Sequence, residues 1–121
     1  MSHVAAHCAS ITAAARAQRG AKRANGRTPG CPLANLSGEL STHEPVLRRK
    51  LQRVYAEMQK RFEDTLRAAV AAGEIPRRSD VSAKAEALVA IAQGGMLLSA
   101  VHDDPGTCGR LSELAQALLR A

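Results

Sequence analysis

Residues 81–101 carry the sequence VSAKAEALVAIAQGGMLLSAV. One set of apolar residues in it recurs at three- and four-residue steps: Val81, Ala85, Leu88, Ala92 and Met96. This spacing indicates an α-helix. Further apolar residues fall on the other faces of that helix: Val89, Ile91, Leu97, Leu98 and Val101. Because a helix that is apolar nearly all round has to be covered on several sides, the stretch predicts the central helix of a bundle.

Two adjacent glycines, Gly94 and Gly95, lie inside this predicted helix. Each costs about 1 kcal/mol relative to alanine in a helix interior. We expect another helix to approach closely over the missing side chains, and part of the cover to come from a second copy of the chain. The alternative is a helix buried within one monomer, in which the two glycines form a kink or an early stop.

The composition of the chain favours a single all-α domain. It has 121 residues, which leaves room for one domain with a real core. Tyr55 and Phe62 are its only aromatic residues, and alanine and leucine dominate. Such a composition suits helices that meet through small side chains better than a β-sandwich, whose strands favour β-branched and aromatic residues.

The basic charge of the chain is concentrated at its N-terminus. The net charge is +6, and residues 1–29 contain five basic residues and no acidic one. Residues 30–121 are therefore nearly neutral, and they give no overall electrostatic reason to expect phosphate binding. We expect residues 1–29 to be a basic, poorly ordered leader, with at most a short helix over Ala5–Gln18. A transit peptide and a basic arm that touches nucleic acid are the alternatives.

Three further helices are predicted around the central one. Leu33, Leu36 and Leu40 give a short amphipathic helix after Pro32, and a long amphipathic helix follows from about Glu44 to Ala72. Gly73 ends that helix, and Asp80 caps the start of the central one. Asp104 and Pro105 are expected to begin a last helix with a leucine-rich stripe.

The residues that enzymes and metal sites require are missing from the pattern. No Ser/His/Asp or Cys/His set falls in one neighbourhood, and there is no glycine-rich phosphate loop or metal-ligand spacing. Three widely spaced cysteines without a C-x-x-C motif fit a reducing cytoplasm. The sequence contains no run of about 18 apolar residues, so no membrane span is predicted. We therefore expect a cytoplasmic protein without catalytic residues, metal, cofactor or membrane contact.

The order of motifs resembles the C-terminal region of TetR-family transcriptional regulators. It begins with Gly30-Cys31-Pro32-Leu33-Ala34-Asn35 and continues with A-A-G-E-I-P at 71–76, Asp80, Q-G-G at 93–95 and Asp104-Pro105. The opening is similar to a subgroup with a Gly-Cys-x-Leu-x-Asn motif, and the resemblance covers about residues 30–121. It implies an antiparallel all-α bundle whose last two helices pair with those of a partner as an intersubunit four-helix bundle.

The resemblance also implies a homodimer that responds to a small-molecule effector. By position, the dimer contacts would come from Leu88, Ala92, Gly95, Met96, Ser99, Leu111, Leu114 and Leu118. The effector cavity would be lined by residues of the earlier helices, with these candidates: Leu36, Tyr55, Met58 and Phe62. The same four residues would serve equally well in an ordinary core.

The N-terminal part departs from the family pattern. TetR-family proteins begin with a three-helix DNA-binding domain, and residues 1–29 show no such pattern. We therefore expect a truncated regulator that could reach DNA only through the missing N-terminal domain. The alternative is a stand-alone helical interaction module that forms heterodimers with a full-length regulator.

Overall fold

Five α-helices form the fold of residues 3–40 and 43–121, which are the residues that the structure, a computed structural model, describes. In chain order they are α1 (His3–Asn25), α2 (Pro32–Leu40), α3 (Pro45–Ala71), α4 (Val81–Val101) and α5 (Thr107–Arg120). No residue in these two ranges lies in a β-strand. The all-α class predicted from the sequence is confirmed.

Local signals set the ends of α3 and α4. Pro45 occupies the first turn of α3, and Gly73 follows its end with a φ of +75°, a conformation that glycine adopts without strain. The Asp80 carboxylate accepts a hydrogen bond of 3.0 Å from the Ala83 N–H and so caps α4. These boundaries agree with the predicted ones.

The start of α5 differs from the prediction that Asp104 caps it and Pro105 opens it. The helix begins only at Thr107. The Asp104 carboxylate instead accepts a hydrogen bond of 2.8 Å from the Gly106 N–H and pairs with Arg110 at 2.6 Å. It closes a turn before the helix, so Pro105 lies in that turn.

The main core forms where the C-terminal half of α3 meets α4 and α5. Its buried members are mostly small or unbranched at Cβ: Leu66, Ala69, Ile75, Ala85, Leu88, Ala115 and Leu119. The α4 and α5 helices run antiparallel, because the Lys84 ammonium near the start of α4 donates to the Leu119 and Ala121 carbonyls at the end of α5. This cation also offsets the negative end of the α5 dipole.

Helix α1 replaces the poorly ordered leader that we expected for residues 1–29. It packs most extensively against α5 and also contacts α3 and α4. Ala15 and Gln18 are 1% and 5% exposed, and their three-residue spacing places them on the face turned to the bundle. Three arginines of α1, Arg16, Arg19 and Arg23, are exposed. Three of the five basic residues therefore lie on the solvated side of a packed helix, and the boundary at residue 29 does not separate a leader from the bundle.

A polar junction holds the end of α1 against the turn between α4 and α5. The Gln18 amide donates to the Gly30 carbonyl at 2.9 Å and accepts from the Gly30 N–H at 3.0 Å. Gly30 has a φ of +76°, and a Cβ there would lie 3.0 Å from the Ala100 Cβ. Glycine is therefore required at this position both by its φ and by the close approach of α4.

Asp103 completes this junction. It is the one non-glycine residue with positive φ, at +48°, among the residues described. Its carboxylate accepts a hydrogen bond of 2.7 Å from the Thr28 N–H and pairs with the Lys22 ammonium at 3.3 Å. The Thr28 N–H, and then Lys22, keep the pKa of Asp103 below its usual value. The carboxylate therefore ties the chain after α1 to the end of α4.

Candidate effector cleft and dimer surface

Tyr55 of α3 lies between two clefts that open on either side of it, beneath α2. Its hydroxyl is 3.3 Å from the Ser37 hydroxyl of α2. Because the Ser37 proton is already donated to the Leu33 carbonyl at 2.7 Å, Tyr55 is the donor in this pair. This bond joins α2 to α3 and places the Tyr55 ring at the boundary between the clefts.

The first cleft lies between α2 and α4 and is called the α2–α4 cleft below. Its volume is about 450 Å³, within the usual range of small-molecule sites. Its lining residues come from three helices: Ala34, Asn35, Gly38, Glu39, Tyr55, Gln93, Gly94 and Leu97. It contains one carboxylate and two amides and no basic side chain.

The second cleft lies between α2 and α3 and is called the α2–α3 cleft. Its volume is about 480 Å³, and it is lined by Ser37, Arg48, Leu51, Gln52, Tyr55, Ala56 and Gln59. A larger depression of about 590 Å³ has walls from α3 alone, so it cannot enclose a ligand between helices. The two clefts under α2 are thus the better candidates for an effector site.

The four residues predicted to line an effector cavity lie in different environments. Tyr55 lines both clefts, whereas Leu36, Met58 and Phe62 line neither. Leu36 is 39% exposed on the outer side of α2, and Phe62 packs against the main core. The Met58 sulfur lies 4.0 Å from the Gln93 amide nitrogen, just behind the α2–α4 cleft. The role of all four in ligand binding stays a prediction.

Gln93 is a lining residue that the sequence did not single out. Its amide oxygen is shut off from solvent and has no hydrogen-bond donor among the residues that the structure describes. An unpaired buried acceptor costs about 1–3 kcal/mol. A long polar side chain in the largely apolar second half of α4 was the available signal, but the sequence cannot show whether such a group has a partner.

An uncovered apolar surface lies along α4 and α5. It consists of Leu98 and Val101 on α4 and Leu114 and Leu118 on α5, and we call it the α4–α5 face. These side chains are between 39% and 68% exposed. Gly95 of α4 and Leu111 of α5 lie against each other where the two helices meet. Leu98 follows Gly95 by three residues and Leu114 follows Leu111 by three residues, so both flank the line along which the helices meet.

The residues predicted at the dimer interface divide into two groups. Leu114 and Leu118 belong to the α4–α5 face, and Ala92, Met96 and Leu111 are partly buried. Leu88, Gly95 and Ser99 are instead buried inside the single chain. Since a Cβ on Gly95 would lie 3.1 Å from Leu111 Cδ1 and 3.5 Å from Cys108 Sγ, the helix that approaches this glycine is α5 of the same chain.

The Ser99 side chain is also used within the monomer. Its hydroxyl donates to the Gly95 carbonyl at 2.8 Å and lies 3.4 Å from Cys108 Sγ. Leu88 belongs to the main core. These three residues are therefore not available to a partner in this conformation. Leu98 and Val101, which the prediction omitted, are exposed in their place.

By length and composition alone, α4 could also cross a membrane. This differs from our expectation that no segment would qualify. Only 17% of its 18-residue apolar window is buried in the single chain. The core helix of a helical bundle can meet the same test, and α4 packs against both α3 and α5.

The fold is thus an all-α bundle with clefts under a short helix and an open apolar surface on its last two helices. The sequence profile described as "Tetracyclin repressor-like, C-terminal domain" matches residues 5–115. The chain belongs to this family, whose domains serve regulators in ligand binding and dimerisation. No curated protein and no solved structure matches the chain significantly. The match begins within α1, in agreement with the packing of that helix.

Proposed function

We propose that this chain is the effector-binding and dimerisation domain of a TetR-like bacterial transcriptional regulator that acts in the cytoplasm as a homodimer. The observation that carries the proposal is the α4–α5 face. Val101 and Leu114 are 68% and 66% exposed in the single chain. Exposed large apolar side chains that are grouped on one side of a helix pair are typical of an interaction site.

A second copy of the chain is the occupant that fits this surface. In a two-fold dimer the same patch is used by both subunits, so an apolar surface on two antiparallel helices can meet its own copy as four helices. Burying the face removes leucine and valine side chains from water. Heterodimerisation with a full-length regulator would use the same face and stays an alternative prediction.

The clefts provide a route by which a small molecule could influence the dimer. Gln93 and Gly94 of α4 line the α2–α4 cleft, and Leu98 and Val101 of the same helix belong to the α4–α5 face. If a ligand binds the cleft more tightly when α4 has one placement in the bundle than when it has another, it would shift the population of dimer geometries. The coupling would therefore need only a small movement of one helix.

The proposal is tested by removing apolar surface from the face without touching the core. The double variant Leu114→Gln/Leu118→Gln is expected to weaken self-association at least tenfold in sedimentation equilibrium while far-UV circular dichroism stays unchanged. Val46→Gln/Val54→Gln is the matched control, because these valines of α3 are 58% and 42% exposed and lie away from the face. Equal dissociation constants for both variants would contradict the proposal.

A further inference from the structure

The lining of the α2–α4 cleft has the opposite electrostatic character to the chain as a whole. The chain carries 17 basic and 11 acidic residues, yet this cleft is lined by Glu39 and by no lysine, arginine or histidine. The α2–α3 cleft on the other side of Tyr55 is lined by Arg48 and by no acid. The two clefts would therefore select ligands of different charge.

The polar part of the α2–α4 cleft includes one carboxylate and the oxygens of two amides. The Glu39 carboxylate lies at its exposed rim, and Asn35 lies one turn of α2 away. The Gln93 amide oxygen has no donor in the described residues. Its amide nitrogen is only 4.0 Å from the Met58 sulfur, which is a weak acceptor. The amide can therefore turn toward the cleft without losing a strong hydrogen bond, and its oxygen then gains a partner from a ligand that donates.

Gly94 keeps the wall of this cleft open. A Cβ at Gly94 would meet no atom within 4 Å, whereas the neighbouring Gly95 is packed against α5. Packing within the chain thus explains Gly95 but not Gly94, although each glycine costs about 1 kcal/mol in a helix interior. The bare backbone of Gly94, together with Ala34 and Leu97, leaves room for the apolar body of a ligand.

We propose that the α2–α4 cleft binds a small protonated amine with an aliphatic or aryl body. The ammonium group lies between the Glu39 carboxylate and the Gln93 amide oxygen, and its N–H groups donate to these acceptors and to Asn35. The apolar body lies over Gly94 against Ala34 and Leu97. This inference rests on the proposed effector role of the domain and assigns the chemical class of the effector.

The test compares three amines with their isosteres on the full chain. Phenethylamine, cyclohexylmethylamine and butylamine are titrated by calorimetry at pH 7, each beside an alcohol and a carboxylate of matched length. At least one amine is expected to bind more tightly than its own alcohol and carboxylate. Gln93→Met should weaken that amine about tenfold, because it removes an acceptor for a charged donor. Glu39→Gln should weaken it about two- to fivefold, as expected for an exposed charge pair.

Two controls locate the effect. Glu57→Gln removes an exposed carboxylate of α3 that lies outside both clefts, and it should leave amine binding unchanged. Gly94→Leu fills the cleft and should abolish amine binding. Gln93→Met should also raise the melting temperature of the free protein, because an unpaired acceptor disappears; this separates a folded variant from a damaged one.

The outcomes distinguish this inference from the function on which it rests. The amine assignment is overturned if no amine binds more tightly than its isosteres, or if Glu57→Gln weakens binding as much as Glu39→Gln does. If alcohols or carboxylates bind the wild type as tightly as the amines do and fail to bind Gly94→Leu, the charge assignment is overturned while an effector role stays intact. Self-association, measured on the same samples, reports separately on the dimerisation part of the proposed function.

Discussion

Replacing Gln18 with alanine tests whether α1 is a structural part of the domain. Gln18 is 5% exposed and makes two hydrogen bonds to Gly30, whose N–H and carbonyl have no other backbone partner in the described residues. Alanine leaves both groups of a buried residue unpaired, at about 1–3 kcal/mol each. The expected loss in the free energy of unfolding is therefore about 2–6 kcal/mol. For a domain of this size it corresponds to a fall in melting temperature of about 8–24 °C.

The assay is urea denaturation followed by far-UV circular dichroism at a fixed protein concentration. Arg16→Ala is the control on the same helix, because Arg16 is exposed, and it should change the free energy by about 0.5 kcal/mol or less. Gln18→Glu adds a second control: at neutral pH its carboxylate can accept from the Gly30 N–H but cannot donate to the Gly30 carbonyl.

A pH series on Gln18→Glu makes this prediction directional. Burial and the facing carbonyl raise the pKa of a carboxyl group at this position above that of the unfolded chain. The variant should therefore be most stable, relative to the wild type, below about pH 4, where its carboxyl is protonated in both states, and should lose that stability as pH rises. If Gln18→Ala is no more destabilising than Arg16→Ala, the contacts of α1 with the bundle do not contribute as described.

Three more predictions concern other parts of the fold. Deleting residues 1–29 should lower the melting temperature and the helicity per residue in circular dichroism, since it removes α1 and the Gln18 contacts; unchanged values would restore the poorly ordered leader. Gly94→Ala should raise the free energy of unfolding by about 1 kcal/mol. Gly95→Ala should raise it less or lower it, because the added Cβ would lie 3.1 Å from Leu111 Cδ1. The opposite order in urea denaturation would contradict the assigned faces. Asp103→Asn should be less stable than the wild type at pH 7, but it should lose less stability when the pH falls below about 4. The reason is that the pKa of Asp103 is lowered in the folded state, so its carboxylate stabilises the fold above the unfolded pKa and this contribution is lost as pH falls. Parallel pH profiles of the two proteins would argue against the Thr28 and Lys22 contacts.

The elements with local signals could be predicted from the sequence. Helix α4 has the predicted bounds because its apolar spacing and the Asp80 cap both lie within a few residues of where they act. Helix α3 ends at Gly73 for the same reason. The packing of helix α1 could not be predicted from such signals, because its buried positions include Ala15 and Gln18. Neither residue stands out as hydrophobic, and α1 packs mainly against α5, which is distant in the chain.

The candidate site was less accessible to prediction because its clefts depend on where α2 lies against α3 and α4. Tyr55 was identified, but an apolar periodicity cannot separate a cleft residue from a core residue such as Phe62. The two glycines make the same point. Gly94 and Gly95 are adjacent residues of the same type. The helix turns by about 100° from one residue to the next, so Gly95 lies toward α5 and Gly94 toward open space.

The central claim is that the single chain leaves apolar surface on α4 and α5 that a second copy covers. Sedimentation equilibrium of the wild-type chain over a hundredfold range of concentration, from about 2 to 200 µM, tests this claim most directly. A monomer–dimer equilibrium with dimer dominant at the upper end is expected, since the exposed leucines and valines become buried on association. A folded chain that sediments as a monomer across the whole range would contradict the claim.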